Sequence, residues 1–382
     1  MAHELEARLH PRLAEIDAAQ WDALRPDDNP FVSHAWLSGL EQHGCIEAEH
    51  GWVPQHLALH RGATLVAAAP LYVKLNSHGE YVFDWSWAGA YARHGLDYYP
   101  KLLCAVPYSP VTGPRLLVRE GDTVLRGALI DTLATLVQRN AWSSAHVNFA
   151  APDDVAAFAD RADWLPRFDW QFHWQNRGWS DFEQFLSALT AKKRKNIRQE
   201  RAQVARAGVR CTIKHGDEMS DADWRVLHRF YRATFDEKGN YAALTLDFFR
   251  HLSAALPRQV LAVLAERGGR TIAAALLLRS RDTLYGRYWG SEQILPGLHF
   301  EVCYYQGIEY CLRHGLARFE PGAQGEHKLA RGFLPTSTDS FHFVADARFR
   351  RAIGDALRQE ARGLAAYRDE LLRHSPYAAP AA

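Results

Sequence analysis

Two apolar hairpin signals, set far apart in the chain, constrain the fold more than any other feature. Gln55-His-Leu-Ala-Leu-His-Arg-Gly runs into Ala67-Ala-Ala-Pro-Leu71, and Gln259-Val-Leu-Ala-Val-Leu-Ala-Glu-Arg-Gly runs into Ala273-Ala-Ala-Leu-Leu277. Each is a pair of apolar runs joined by a glycine-containing turn, and the two turns differ by two residues. Helical patterns precede both hairpins, and strand, helix, strand follows both. A duplicated α/β unit accounts for this shared order. The 382 residues suffice for two full cores. The expected division is a first domain over 1–178, a second over 179–345 and a C-terminal helix and tail over 346–382.

Read in order, residues 1–30 predict a short helix ending before Arg25-Pro26. Trp36, Leu37 and Leu40 fall at helical spacing behind Ser33, a suitable cap. Strands are expected at 55–60, 64–74 and 81–87, the last rich in aromatics around Asp84 and Trp85. Pro107, Pro110 and Pro114 make 103–117 an edge strand and loop. A helix over 122–140 and a strand over 144–149 follow. Ser180 and Glu183 read as a capping box that opens one helix running to Gly208. A helix through Trp224, Leu227, Tyr231 and Phe235 precedes strands at 259–265, 271–279 and 282–290.

The chemistry concentrates between Arg287 and Arg331. A strand pattern runs out at Trp289-Gly290, and a helix begins near Leu298, with Val302, Tyr305, Ile308 and Leu312 on one face and Gly315 as its stop. A short strand over 316–320 follows, and a later one over 340–344. Ionisable and aromatic groups thus gather at strand ends, where α/β folds bind ligands.

Composition narrows the function. Lys+Arg of 45 against Asp+Glu of 44 gives a net charge of +1, so the chain as a whole predicts no DNA partner. One local exception stands out. Lys192 to Arg206 holds Lys192, Lys193, Arg194, Lys195, Arg198, Arg201 and Arg206 against Glu200, which is 7 − 1, or +6. The five cysteines form no C-x-x-C pair, which argues against structural zinc or a disulfide framework and suits a reducing compartment. No metal site is expected. The opening Met1-Ala-His-Glu-Leu-Glu is charged, and apolar runs such as 272–278 fall far short of the ~20 residues a membrane span needs, so a cytoplasmic protein without a membrane span is the expectation.

Eight segments carry a family resemblance. They are Asn29-Pro-Phe-Val-Ser-His-Ala-Trp36, Gly79-Glu-Tyr-Val-Phe-Asp-Trp85, Tyr99-Pro-Lys-Leu102, Pro110-Val-Thr-Gly-Pro-Arg115, Lys192-Lys-Arg-Lys-Asn-Ile-Arg198, Tyr285-Gly-Arg-Tyr-Trp-Gly290, Leu298-His-Phe-Glu-Val-Cys-Tyr-Tyr-Gln306 and Gly322-Ala-Gln-Gly-Glu-His-Lys328. Through them the whole chain resembles the FemAB-like predicted N-acyltransferases, relatives of the Fem enzymes that add amino acids from aminoacyl-tRNA to peptidoglycan precursors. The resemblance implies two tandem GNAT-like acyltransferase domains of α/β (α+β) class, with mixed, mainly antiparallel sheets flanked by helices. Fem enzymes carry a Phe-Lys followed by a glycine-aromatic pair. Here His327 stands in the aromatic position, Lys328 matches the lysine, and Gly332-Phe333 follows. By resemblance, Lys328 stabilises charge at the reacting centre.

Acyl transfer to an amine needs a base, donors for the carbonyl oxygen, an acid for the leaving group and cations for a phosphorylated donor. The base candidates are Glu301, Glu320, Glu326 and His299, and His327 is a further catalytic candidate beside Lys328. Arg287, Tyr288, Trp289, Tyr304, Gln324 and Arg331, with Asp84 and Trp85 of the first half, are candidates for holding substrate or donor. Lys192, Arg194, Lys195 and Arg198 suit a donor's phosphates. The GNAT pyrophosphate turn, Gln/Arg-x-x-Gly-x-Gly/Ala, has no match in Ser291-Glu-Gln-Ile-Leu-Pro-Gly-Leu298. That departure favours an aminoacyl-tRNA donor. An acyl-CoA co-substrate is the alternative, no tightly bound cofactor is expected, and a non-catalytic binding protein is the third reading. The acceptor would be a primary amine on a peptide, a peptidoglycan precursor or a small molecule.

Overall fold

The computed structural model describes residues 4–323 and 325–378. Two compact units divide them. The first ends at Asp169 and resumes over Ser337–Ala365; the second is Trp170–Thr336 and resumes at Ala366. Residues 337–345, expected with the second domain, therefore pack with the first.

In the first unit, strands Leu5–His10, His56–Arg61, Thr64–Ala69 and Leu117–Val118 pair in that order, all antiparallel. The hairpin forms as the sequence predicts, with Leu57 opposite Ala69 and Ala58 opposite Ala68. Its second arm breaks at Pro70, which has no N–H for a ladder, so Leu71–Lys74 joins other strands. Leu334–Val344, Ser144–Ala150, Lys101–Cys104, Leu71–Lys74 and Trp52–Pro54 follow one another there. Lys101–Cys104 is an interior strand, not the expected edge. Leu129, Ile130 and Leu133 of the Thr123–Arg139 helix close the core over Leu57, Ala69 and Leu102.

In the second unit the order is Val209–His215, Val260–Arg267, Arg270–Arg279, Thr283–Ser291, Arg318–Glu320 and the part of strand Trp164–Gln175 that follows Asp169. Thr283–Ser291 and Arg318–Glu320 pair in parallel; the other neighbours are antiparallel. The parallel pairing stops at Tyr285 opposite Glu320, while Thr283–Ser291 runs on against Arg270–Arg279. The sheet therefore opens on one side of residues 286–291. A bulge lies at this opening: Leu276 faces Tyr288 and Leu277 faces Gly286, so Arg287 is the extra residue.

Several sequence expectations give way. Residues 81–87 do not form a strand: helix Trp85–Arg93 begins there, and Trp87 and Tyr91, one turn apart, bury its inner face. The first thirty residues hold strand Leu5–His10 before the short helix Ala18–Asp22. The helix expected over 180–208 is two, Phe182–Ser187 and Ala191–Arg206. Its cap is Asp181, which accepts from Gln184 N at 2.8 Å, while Ser180 N donates to the Gln184 side chain at 3.1 Å. The strands Trp164–Gln175 and Val209–His215 and the helix Leu246–Ala255 had not been anticipated. No helix among the described residues is long and apolar enough to cross a membrane.

Candidate functional site

The helix at the sheet opening is not uniform. Leu298–Phe300 is α-helical, Glu301–Tyr305 forms a π turn and Gln306–His314 continues as α-helix. A π turn adds a residue to one turn, re-aims the side chains that follow and is common at functional sites. Here it buries Tyr304 and Tyr305, which are 2% and 0% exposed. After strand Arg318–Glu320 the chain turns through Gly325, whose φ of +115° suits glycine. A Cβ on Gly325 would lie 2.4 Å from the His327 ring, so glycine also makes room for that imidazole. The 3₁₀ turn Glu326–Arg331 then presents His327 outward and Lys328 inward.

Lys328 is the least ordinary residue of the second unit. It is 2% exposed, and its Nζ donates to Gly322 O at 2.6 Å. Among the described residues no carboxylate pairs with it. Burial brings its pKa down from 10.5 to about 7, opposed only by the neighbouring Cys303 thiol. A cavity of about 70 Å³ in the same unit is lined by Gly286, Arg287, Tyr288, Trp289, His299 and Tyr304, among others. Lys328 does not line it, but Cys303, which does, interacts with Lys328.

Tyr304 Oη lies 2.8 Å from His327 Nε2. The His299 ring sits 4.6 Å from Trp289, 5.3 Å from Tyr304 and 5.7 Å from His327, centroid to centroid. Burial first, then the cationic side of the site, lowers His299 to about 4, so it is a neutral imidazole.

The acidic residues nearby are held by the protein itself. Arg201 grips both Glu301 oxygens at 3.0 Å, and Gln306 Nε2 donates to Glu301 at 2.7 Å. Arg331 donates to both Glu200 oxygens, at 2.6 and 3.2 Å, and Tyr305 donates to the same carboxylate. The Arg331 guanidinium also lies 3.2 Å from the centroid of the Phe300 ring.

The structure thus brings together Arg287, Tyr288, Trp289, His299 and Tyr304 around the cavity, with His327 on Tyr304. It places other candidates in different roles. Glu301 and Arg331 sit in the ion pairs just described. Glu326 is exposed and accepts from Tyr367 Oη at 2.5 Å. Glu320 is buried where the parallel pairing ends. Arg194 donates to the carbonyls of Leu186, Ser187 and Leu189, and Arg198 pairs with Glu183. Lys192 and Lys195 are exposed at the start of the Ala191–Arg206 helix. Asp84 and Trp85 belong to the first unit, where Asp84 is buried on Lys101 and Trp85 is 46% exposed. Gln324 lies outside the described residues.

Sequence reading missed Glu200, which looked like the single acid of a basic helix. It also missed Cys303, a half-buried thiol that lines the cavity. The signal for Glu200 was its offset from Arg201. Successive helical residues face different neighbours, and here one takes Arg331 while the other takes Glu301.

The fold has solved counterparts. FemX aligns at 11% identity and a TM-score of 0.54, over 92% of this chain and 100% of that one. The C-terminal domain of a putative lysylphosphatidylglycerol synthetase from Agrobacterium fabrum aligns at 14% identity and a TM-score of 0.53, over 90% and 96%. Both likenesses concern the fold, and the expected mixed α/β architecture of mainly antiparallel sheets flanked by helices is the one observed. No curated protein matches the chain. The FemAB-like family, described as peptidoglycan biosynthesis/recognition, matches residues 12–379, and the chain belongs to that family.

Proposed function

We propose that this protein transfers an aminoacyl group from an aminoacyl-tRNA to a primary amine, with Lys328 at the reacting centre. Membership of the FemAB-like family supports aminoacyltransferase-type chemistry in general. The observation that carries the finer reading is Lys328 itself, a buried lysine with a carbonyl as its partner and no carboxylate among the described residues. A buried ammonium without a counter-ion is costly, and an oxyanion developing next to it would supply the missing charge. Such an anion would draw the proton back onto a lysine that is half neutral near pH 7.

The mechanism follows from these groups. The acceptor's neutral amine attacks the acyl carbon, the carbonyl oxygen becomes negative, and Lys328 stabilises it. The carbon–oxygen bond to the donor ribose then breaks. Lys192, Lys193 and Lys195, at the start of the Ala191–Arg206 helix, have no hydrogen bond or ion pair among the described residues and would meet the donor's phosphates. The departure of 291–298 from the Gln/Arg-x-x-Gly-x-Gly/Ala pyrophosphate turn also counts against acyl-CoA. The acceptor would be a peptide or peptidoglycan-precursor amine.

A mass-spectrometric assay tests this. The protein is offered labelled aminoacyl-tRNAs and, separately, acyl-CoAs, with mixed amine acceptors. Transfer from tRNA alone supports the reading. Transfer from CoA alone overturns the donor assignment, and binding of a donor without transfer favours a non-catalytic role.

A further inference from the structure

Amide formation from an ammonium releases a proton that needs a path out of the site. The acceptor starts as R–NH₃⁺. In the product one hydrogen stays on the amide nitrogen, one goes to the leaving ribose oxygen, and one must leave the site. The C–N bond forms and the C–O bond breaks without any change of oxidation state. Glu301 is held by Arg201 and Gln306, Glu200 by Arg331 and Tyr305, and Glu326 faces Tyr367. Lys328 is engaged with the oxyanion during the same step.

One pair of side chains spans the distance from the cavity to solvent. Tyr304 is 2% exposed and lines the cavity, while its hydroxyl lies 2.8 Å from Nε2 of the exposed His327. Three features fix that contact. The π turn Glu301–Tyr305 sets the position of Tyr304. Gly325 leaves room for the imidazole. Arg331 donates to His327 O at 2.7 Å and holds the turn.

We propose that Tyr304 and His327 form the proton exit of the transferase reaction: Tyr304 Oη takes the acceptor's proton while passing its own to His327 Nε2, and the imidazolium releases a proton from Nδ1 to solvent. The relay rests on the transferase reading of this site. Tyr304 would touch the substrate, and His327 acts through it. The groups facing His327 are Tyr304, His299, Lys328 and Arg331. Burial and the cations Arg331 and Lys328 all lower the His327 pKa, which keeps Nε2 free to accept at neutral pH.

Two measurements test the relay. Nitrogen NMR of His327 in the wild type and in Tyr304→Phe reads the contact without any substrate. A changed Nε2 resonance is expected, and an unchanged one means the hydrogen bond is absent and the relay is wrong. With the aminoacyl-tRNA donor, Tyr304→Phe and His327→Ala should each lower kcat about 100-fold with KM retained. His327→Ala should also lose the acidic limb of the pH profile and regain rate with added imidazole. Full rate in both variants contradicts the relay while leaving the transferase reading intact. A wild type that transfers nothing from any donor contradicts both.

Discussion

Of the three lysines almost wholly buried among the described residues, Lys74, Lys101 and Lys328, the last two have opposite surroundings. Lys74 donates to His78 O at 3.2 Å and lies 3.7 Å from the Trp52 ring centroid, and burial lowers it to about 7, as it does Lys328. Lys101, in the first unit, is 0% exposed and donates to Glu80 at 2.8 Å, to Ser77 at 2.9 Å and to Asp84. Burial would lower its pKa, but the two carboxylates outweigh burial and raise it. Burial also pushes Glu80 up to about 7, while Asp84, gripped by Lys101, falls to about 2 despite its burial. Lys328, in the second unit, has a carbonyl oxygen and falls to about 7. The lesson is in the partners. A buried charge whose counter-charges are built into the fold is part of the scaffold, and one without a paired carboxylate is the place where an anionic ligand would gain most, which is the role proposed for Lys328.

The comparison can be broken most sharply at Lys101. Lys101→Met would strand Glu80 and Asp84 in the core, and breaking a buried pair in this way costs roughly 3–5 kcal/mol. Urea unfolding should show that loss. An unchanged midpoint would mean that Lys101 is not structural.

Lys328 should behave in the reverse sense. Its folded pKa of about 7 lies below its ordinary 10.5, so between those pH values the unfolded chain binds a proton that the folded chain lacks. The stability contribution of this group therefore rises as pH increases from about 7 towards 10.5. Comparing urea unfolding at pH 7 and pH 9 in the wild type and in Lys328→Met should show the difference shrink in the variant, with the remainder carried by groups such as Lys74, which burial also lowers to about 7. A smaller effect is expected at the surface. Replacing Lys192, Lys193 and Lys195 by alanine should weaken tRNA binding and reduce its salt slope by roughly one per lysine that meets a phosphate. An unchanged slope would move the donor elsewhere.

Some of this contrast was legible in the sequence. The two hairpins formed as expected because apolar runs and a glycine turn are local signals, although the second arm of the first breaks at Pro70. The helix after Trp289-Gly290 and its Gly315 stop were legible for the same reason. The 81–87 segment was misread because Tyr81-Val-Phe has strand propensity. The buried Trp87 and Tyr91 decide for helix only through packing. The site was legible in residue types and not in partners. Glu301 and Arg331 looked reactive, yet Arg201 and Glu200, each about a hundred residues away or more, neutralise them. Long-range pairing of that kind leaves no trace in local sequence. Lys328 drew notice through its resemblance, but that it is buried without a carboxylate partner among the described residues is a property of the fold alone.

The most direct test is Lys328→Met measured twice, by transfer from labelled aminoacyl-tRNA to an amine and by thermal unfolding. The account predicts that transfer falls at least about 100-fold while the midpoint stays the same or rises. Full transfer in the variant, or lost transfer explained by an unfolded protein, would contradict it.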